Sequence, residues 1–290
     1  MSRKTNPNNS SFMLIRSRRS ARQKLLIAVL AIVLFLIIVF PFYWIVLSSF
    51  KTFLEIFEVP PSIIPVRLDL FNYIEAFEVY QIGTFILNSL FVTIITVLCT
   101  TIISTCASFS VTRLEFKGSK QFQNFLKMTQ MFPVVVLLVP LFLMCAKLNL
   151  YGTQGSLILP YIALQIPVSV ILLSTYFVDI PMEIEEAAII DGCNLFQTFT
   201  YVMLPLAVSG IVAVSIYTFI QVWQEFLIAS SFITKHSSYT LTVGLTTFHG
   251  EFINWGGLMA TSVIIAVPAM VLFTVSQDFF INRLAGGVKE

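Results

Sequence analysis

The chain has 290 residues, 57% of them hydrophobic and 11% charged, with 28 Phe and a mean hydropathy of +0.89. This composition excludes a water-soluble domain and predicts an all-α polytopic membrane protein. The net charge of +2 says little as a total, because the placement of charges along the chain is what sets orientation.

Residues 1–24 hold seven Lys and Arg and no acid, and an uncharged run of 23 residues, Leu25 to Leu47, follows. A cleaved signal peptide has a shorter apolar core and a small-residue cleavage site, so the pattern predicts a basic tail followed by a spanning helix. The tail is expected to stay in the cytoplasm beside anionic lipid, with no call for nucleic acid as a partner. Residues 25–290 are then expected to form one transmembrane domain. Between Lys51 and Gly83 five acids and three Pro read as an ordered external loop, with a short helix from about Phe71 to Phe77.

A second span is expected within Phe85 to Thr112, ending at the basic Arg113, Lys117 and Lys120. The 19 uncharged residues between Lys127 and Lys147 predict a third span, mildly broken by Pro133 and Pro140. A short turn leads to a fourth span within Ser156 to Val178. The fifth is expected from about Leu206 to Ser230, interrupted by Gln221, Trp223, Gln224 and Glu225. An external loop, Ser231 to Trp255, carries His236 and His249, and the sixth span lies within Gly257 to Gln277. Six spans place both termini in the cytoplasm of a bacterial inner or plasma membrane.

No G-x-x-x-x-G-K-[ST] phosphate loop, H-E-x-x-H helix, G-x-S-x-G elbow or Cys/His cluster occurs, which argues against catalysis in this chain. The four Cys, at 99, 106, 145 and 193, have no metal or disulfide spacing and read as buried packing residues. Polar groups within spans usually face the protein interior or a water-filled cavity, so Asn88, Gln130, Gln165, Gln221, Trp223 and Glu225 are candidates for a translocation path. Tyr217 and Trp223 add aromatic faces on which a bound ring can stack. Interhelical glue and core filling are the competing roles for all of them.

The stretch from Asp179 to Pro205 has five acids and no Lys or Arg. Asp179 and Pro181 are expected to open a helix, Gly192 to end it, and Asn194 to cap a second helix running to Leu204, where Pro205 bends the chain. An acidic cytoplasmic loop suits a basic protein partner.

The order Glu186-Ala187-Ala188, Asp191-Gly192, Leu204-Pro205 resembles the coupling loop of ATP-binding-cassette importer permeases, with Cys193 in place of the usual Ala and Val202 in place of Ile. SSFKTFLEIFEVPPSIIP with LDLFNYIEAF resembles the first external segment of the carbohydrate-uptake, maltose-type members, and Trp223-Gln224-Glu225-Phe226 resembles their W-N-E-F segment. QDFFINRLAGGVKE is loosely similar to their C-terminal tail.

The resemblance implies the six-helix type I importer permease fold, with Glu183, Glu186, Ala187, Ala188, Asp191 and Gly192 docking in a cleft of a cytoplasmic ATPase. It also implies a sister permease, two ATPase subunits that bind ATP and Mg in place of this chain, an external solute-binding protein, and a di- or oligosaccharide substrate. A glycerol-phosphate-type solute would want a Lys or Arg in the path, and the spans have none. An ion-coupled carrier would want a charge relay, for which Glu225 alone is too little, and a membrane scaffold would show no substrate flux.

Overall fold

The computed structural model describes residues 21–114, 116–250 and 253–286, with side-chain surroundings for 23–114, 116–250 and 253–275. The expected basic tail up to residue 20 and the last four residues lie outside the described residues. The described chain is helical: α1 (Ala21–Ser48), α2 (Phe53–Ile56), α3 (Phe71–Glu78), α4 (Ile82–Arg113), α5 (Ser119–Thr129), α6 (Val134–Lys147), α7 (Gly155–Val178), α8 (Met182–Ile190) and α9 (Leu195–Gln197). A π-helical turn, Thr198–Met203, joins α9 to α10 (Leu204–Leu206), and then come α11 (Val208–Trp223), α12 (Leu227–Phe232), α13 (Leu241–Gly244) and α14 (Trp255–Gly286).

Among the described residues four helices, within α1, α4, α7 and α14, are long and apolar enough to cross a membrane. Two bent pairs raise the number to six: α5 with α6, turned by 102°, and Leu195–Leu206 with α11, turned by 71°. The third span therefore differs from the mild break expected of it. Pro133 precedes α6 in extended backbone, φ −60° and ψ 132°, and the chain turns through a right angle there, whereas Pro140 is absorbed inside α6. Proline at a helix start costs nothing because its missing N–H would be unsatisfied anyway. The fifth span also ends early, at Trp223, and resumes as the short α12 after Gln224, Glu225 and Phe226.

Helix α4 packs along α7, and α11 lies against both. The α4 face turned inward carries hydroxyls, with Thr93, Thr96, Thr100, Ser104 and Ser108 all buried. Small side chains let helix backbones approach closely where no hydrophobic driving force separates lipid from protein. Ser108 Oγ donates to the Val170 carbonyl of α7 at 3.0 Å, and Thr101 and Ser215 hydroxyls meet at 3.0 Å between α4 and α11.

The segment between α1 and α4 forms an ordered collar. Asn72 on α3 donates to the carbonyls of Ser49 and Lys51 at 2.9 and 2.8 Å, and its amide lies against Gly256 at the start of α14. Lys51 is 1% exposed, with its ammonium over the Trp44 ring and bonded to the Ser62 carbonyl. Phe85 fills the space beside Gly244 of α13 so closely that an added Cβ would lie 2.3 Å from its ring. Gly244→Ala is expected to destabilise the fold by about 1–3 kcal/mol through overpacking. Thermal unfolding in detergent should show a lower midpoint, and an unchanged midpoint would mean that Phe85 relocates freely.

Candidate functional site

Two regions gather the residues singled out by the sequence. The first is a cavity of about 380 Å³ where the two broken spans approach α7. Its polar lining comes from Thr129 and Gln130 at the α5–α6 bend, Tyr161 and Gln165 on α7, and Tyr217, Gln221 and Glu225 on α11 and its end. Interrupted helices expose backbone that hydrocarbon cannot satisfy, so such breaks occur where the backbone is buried in protein or faces a wet cavity. The Gln165 side-chain oxygen is buried without a hydrogen-bond partner in the protein. That acceptor is left for whatever occupies the cavity, since an unpaired buried acceptor costs about 1–3 kcal/mol.

Glu225 lines this cavity, but its carboxylate is already engaged. It accepts the backbone N–H groups of Ile228 at 2.8 Å and Ala229 at 3.1 Å, and the Tyr161 hydroxyl as well. The first two bonds satisfy orphan donors of α12, and the third ties that helix start to α7. Its backbone carbonyl accepts from the Thr242 hydroxyl at 2.7 Å, which brings in α13. Glu225 is thus a junction in the cavity wall.

Asn88 and Trp223 are not among the residues lining the cavity. Asn88 donates to the Ser237 and Tyr239 carbonyls, both at 2.9 Å, and accepts from Gln154 at 2.6 Å. Trp223 is 3% exposed, donates its indole N–H to the Ile265 carbonyl at 2.9 Å, and stacks on Phe219 with ring centroids 5.6 Å apart. Both serve packing between elements, the role that competed with substrate contact in the sequence.

The second region is the acidic segment. Asp179 is the C-cap residue of α7, and the N-cap of α8 is Pro181. Gly192 adopts φ +87° and ends α8 with a Schellman pair: its N–H reaches the Ile189 carbonyl at 3.0 Å, and the Cys193 N–H reaches that of Ala188 at 3.0 Å. Asn194 and Gln197 form a reciprocal capping box at the start of α9, with both bonds at 2.9 Å.

The second limb then runs to Leu206 rather than Leu204, and the bend falls at Ala207. Pro205 cannot donate four residues back, and the six residues before α10 adopt the wider π register. Glu183, Glu186, Ala187, Asp191 and Gly192 are exposed, whereas Ala188 is 7% exposed. Ile189, Ile190, Phe196 and Tyr201 stand outward, 60–85% exposed. Large apolar groups rimmed by acids on a surface are the kind of patch that meets a partner protein, a ligand or a membrane.

One residue that the sequence reading gave no role at this segment reaches it. Arg113, at the end of α4, donates to the Phe177 and Ile180 carbonyls, and its Nε lies 3.7 Å from a Glu185 oxygen. That Nε has no hydrogen-bond partner, so its tie to Glu185 is an ion pair beyond hydrogen-bond reach.

Residues 105–286 match the family described as "Binding-protein-dependent transport system inner membrane component". The chain belongs to this family. It is 34% identical over 262 residues to the inner membrane ABC transporter permease protein YcjP of Escherichia coli, covering 88% of this chain and 93% of that one. It is 32% identical over 278 residues to the trehalose/maltose transport system permease protein MalG of Thermococcus litoralis, covering 93% and 98%.

A crystal structure of a bacterial ABC transporter that imports the acidic polysaccharide alginate matches with a TM-score of 0.81 and 21% identity, covering 91% of this chain and 98% of that one. The likeness places the fold of the permease among importer transmembrane subunits. The permease is an inner-membrane component, and in ABC importers ATP hydrolysis resides in separate subunits.

Glu225→Ala should destabilise the permease by about 1–3 kcal/mol, because it orphans two N–H groups and a buried hydroxyl. Glu225→Gln, which keeps one acceptor oxygen, should cost less. Thermal unfolding of the two variants in detergent checks the order, and equal midpoints would remove the capping role.

Proposed function

We propose that the permease forms one half of a sugar-translocation path and is driven by a cytoplasmic ATPase that receives the segment from Glu183 to Leu204. The observation that carries the substrate class is the cavity wall. Gln130, Gln165, Gln221, Tyr161 and Tyr217 offer amides, hydroxyls and aromatic faces, and no Lys or Arg lines the cavity. A neutral polyol is matched by such groups, whereas a phosphate ester wants a cation. The carbohydrate named for the Thermococcus litoralis relative supports the same reading.

A sister permease supplies the other half of the path. The most apolar 18-residue stretch of α1 has no residue buried within the chain, and Val135, Val136 and Val139 of α6 are 62–66% exposed, so apolar surface remains for a second subunit and for lipid. Both termini lie in the cytoplasm on this reading. Two ATPase subunits bind ATP and Mg, and an external solute-binding protein delivers the sugar. Closure of the ATPases on ATP moves the docking segment, and the spans switch the cavity between the two sides of the membrane.

Docking on the ATPase follows the helix-in-groove mode. Exposed Glu186 meets a basic group, and Gly192 holds a turn that any Cβ strains. Purification through an N-terminal tag in mild detergent should recover a second permease and an ATPase. Glu186→Lys should cut the recovered ATPase activity by at least about tenfold, given the few kcal/mol that a misplaced charge costs at an interface. Gly192→Val should abolish sugar uptake while membrane insertion persists. Normal uptake in Gly192→Val, or a chain purified alone, would refute the docking role.

Labelled-sugar uptake tests the cavity separately. Gln165→Leu and Gln221→Leu should each raise KM by about fivefold or more, the value of one lost hydrogen bond to a bound hydroxyl. Unchanged KM in both variants would move the sugar site elsewhere.

A further inference from the structure

Helix α4 differs from the other long helices. Pro lies inside α1 at 41, α7 at 160 and 167, and α14 at 268, whereas the 32 residues of α4 contain none. Its single Gly, at 83, lies in the first turn. A helix without such breaks has no built-in kink point. From Asn88 to Arg113 it spans about 38 Å at 1.5 Å per residue, more than the hydrocarbon thickness of a bilayer.

Each end of α4 is bonded to a different segment. At the inner end one guanidinium holds three elements. Arg113 donates to the Phe177 carbonyl at the end of α7 and to the Ile180 carbonyl in the link to α8, and pairs with Glu185 in the first turn of α8. Helix C-termini leave carbonyls unpaired and favour a cation, and a guanidinium spreads five donors over a fixed planar fork that reaches acceptors further apart than the three donors of an ammonium do.

At the outer end Asn88 binds the Ser237 and Tyr239 carbonyls and the Gln154 side chain, while Ser89 Oγ accepts the Leu241 N–H at 2.7 Å. These bonds hold residues 237–241, which lead into α13. Through the Thr242 hydroxyl the same segment reaches the Glu225 carbonyl at the cavity.

We propose that α4 is a rigid strut joining the docking segment to the external segment 237–241, with Arg113 and Asn88 as its inner and outer positioning residues. Displacement of α8 by the ATPase then moves the external segment in the same stroke, and seating of a binding protein outside biases α8 in return. The strut rests on the proposed reading that α8 meets an ATPase and that the opposite face meets a binding protein.

The test uses the complete transporter in lipid nanodiscs, with ATPase activity measured with and without sugar-loaded binding protein. Arg113→Met should leave the subunits assembled, yet reduce stimulation by the binding protein, taken relative to the variant's own basal rate, at least about fivefold, the lower end of typical coupling between sites. Arg113→Lys should restore part of it. Asn88→Leu should reduce stimulation similarly, and the double variant should be no worse than either single one, because both cut one connection.

Full stimulation in Arg113→Met, or losses that multiply in the double variant, would overturn the strut. Should Arg113→Met fail to assemble, Asn88→Leu and Glu185→Gln carry the test, and full stimulation in both would overturn it equally. Failure of the docking reading looks different: the wild-type permease would then bring no ATPase with it.

Discussion

A chain in hydrocarbon has to satisfy its own backbone, and this constraint organises the permease more than any single contact does. Unbroken helices meet it automatically, so each interruption needs a local remedy. The permease concentrates two of its interruptions at one cavity. At the α5–α6 bend Pro133 removes a donor, and at the α11–α12 break the Glu225 carboxylate supplies acceptors for the donors that the short helix leaves open. Polar lining and structural repair are therefore the same residues in part, which is why a charged group survives at that depth.

The segment from Glu183 to Leu204 obeys the same logic. Its hairpin shape comes from local chemistry: a positive-φ Gly192 closes one limb and the Asn194–Gln197 box opens the next. Its placement is non-local, set by the Arg113 guanidinium reaching from the end of α4. The two alanines of the segment divide their labour. Ala188 is buried, while Ala187 is exposed. Acids are likewise split, with Glu185 held internally and Glu183, Glu186 and Asp191 left exposed.

The sequence made much of this legible because apolar runs, caps and glycine turns act over a few residues. Six apolar runs, the α3 helix, the Gly192 terminus and the Asn194 cap were readable for that reason. Whether Pro133 kinks a span or breaks it, while Pro140 is absorbed, depends on what packs around each, and the run of uncharged residues conceals the difference. Polar residues in spans could be recognised but not sorted. Gln130, Gln165, Gln221 and Glu225 converge on the cavity, whereas Asn88 and Trp223 turn to neighbouring elements, and only tertiary position separates the two sets. The Arg113 contacts left no local mark, since an Arg after a span also serves orientation.

The helices differ in how much their own sequence is asked to encode. Along the most apolar stretch of α1, which has no residue buried within the chain, packing inside this chain asks only for an apolar side chain. Along α4 the buried Thr96, Thr100 and Ser104 leave no room for a longer side chain, and Thr96 and Thr100 fill their sites as Val would while keeping a hydroxyl without a hydrogen-bond partner among the described residues. The second span is therefore confined to a handful of small residues by the closeness of its neighbour, a restriction that the exposed stretch of the first span escapes within this chain.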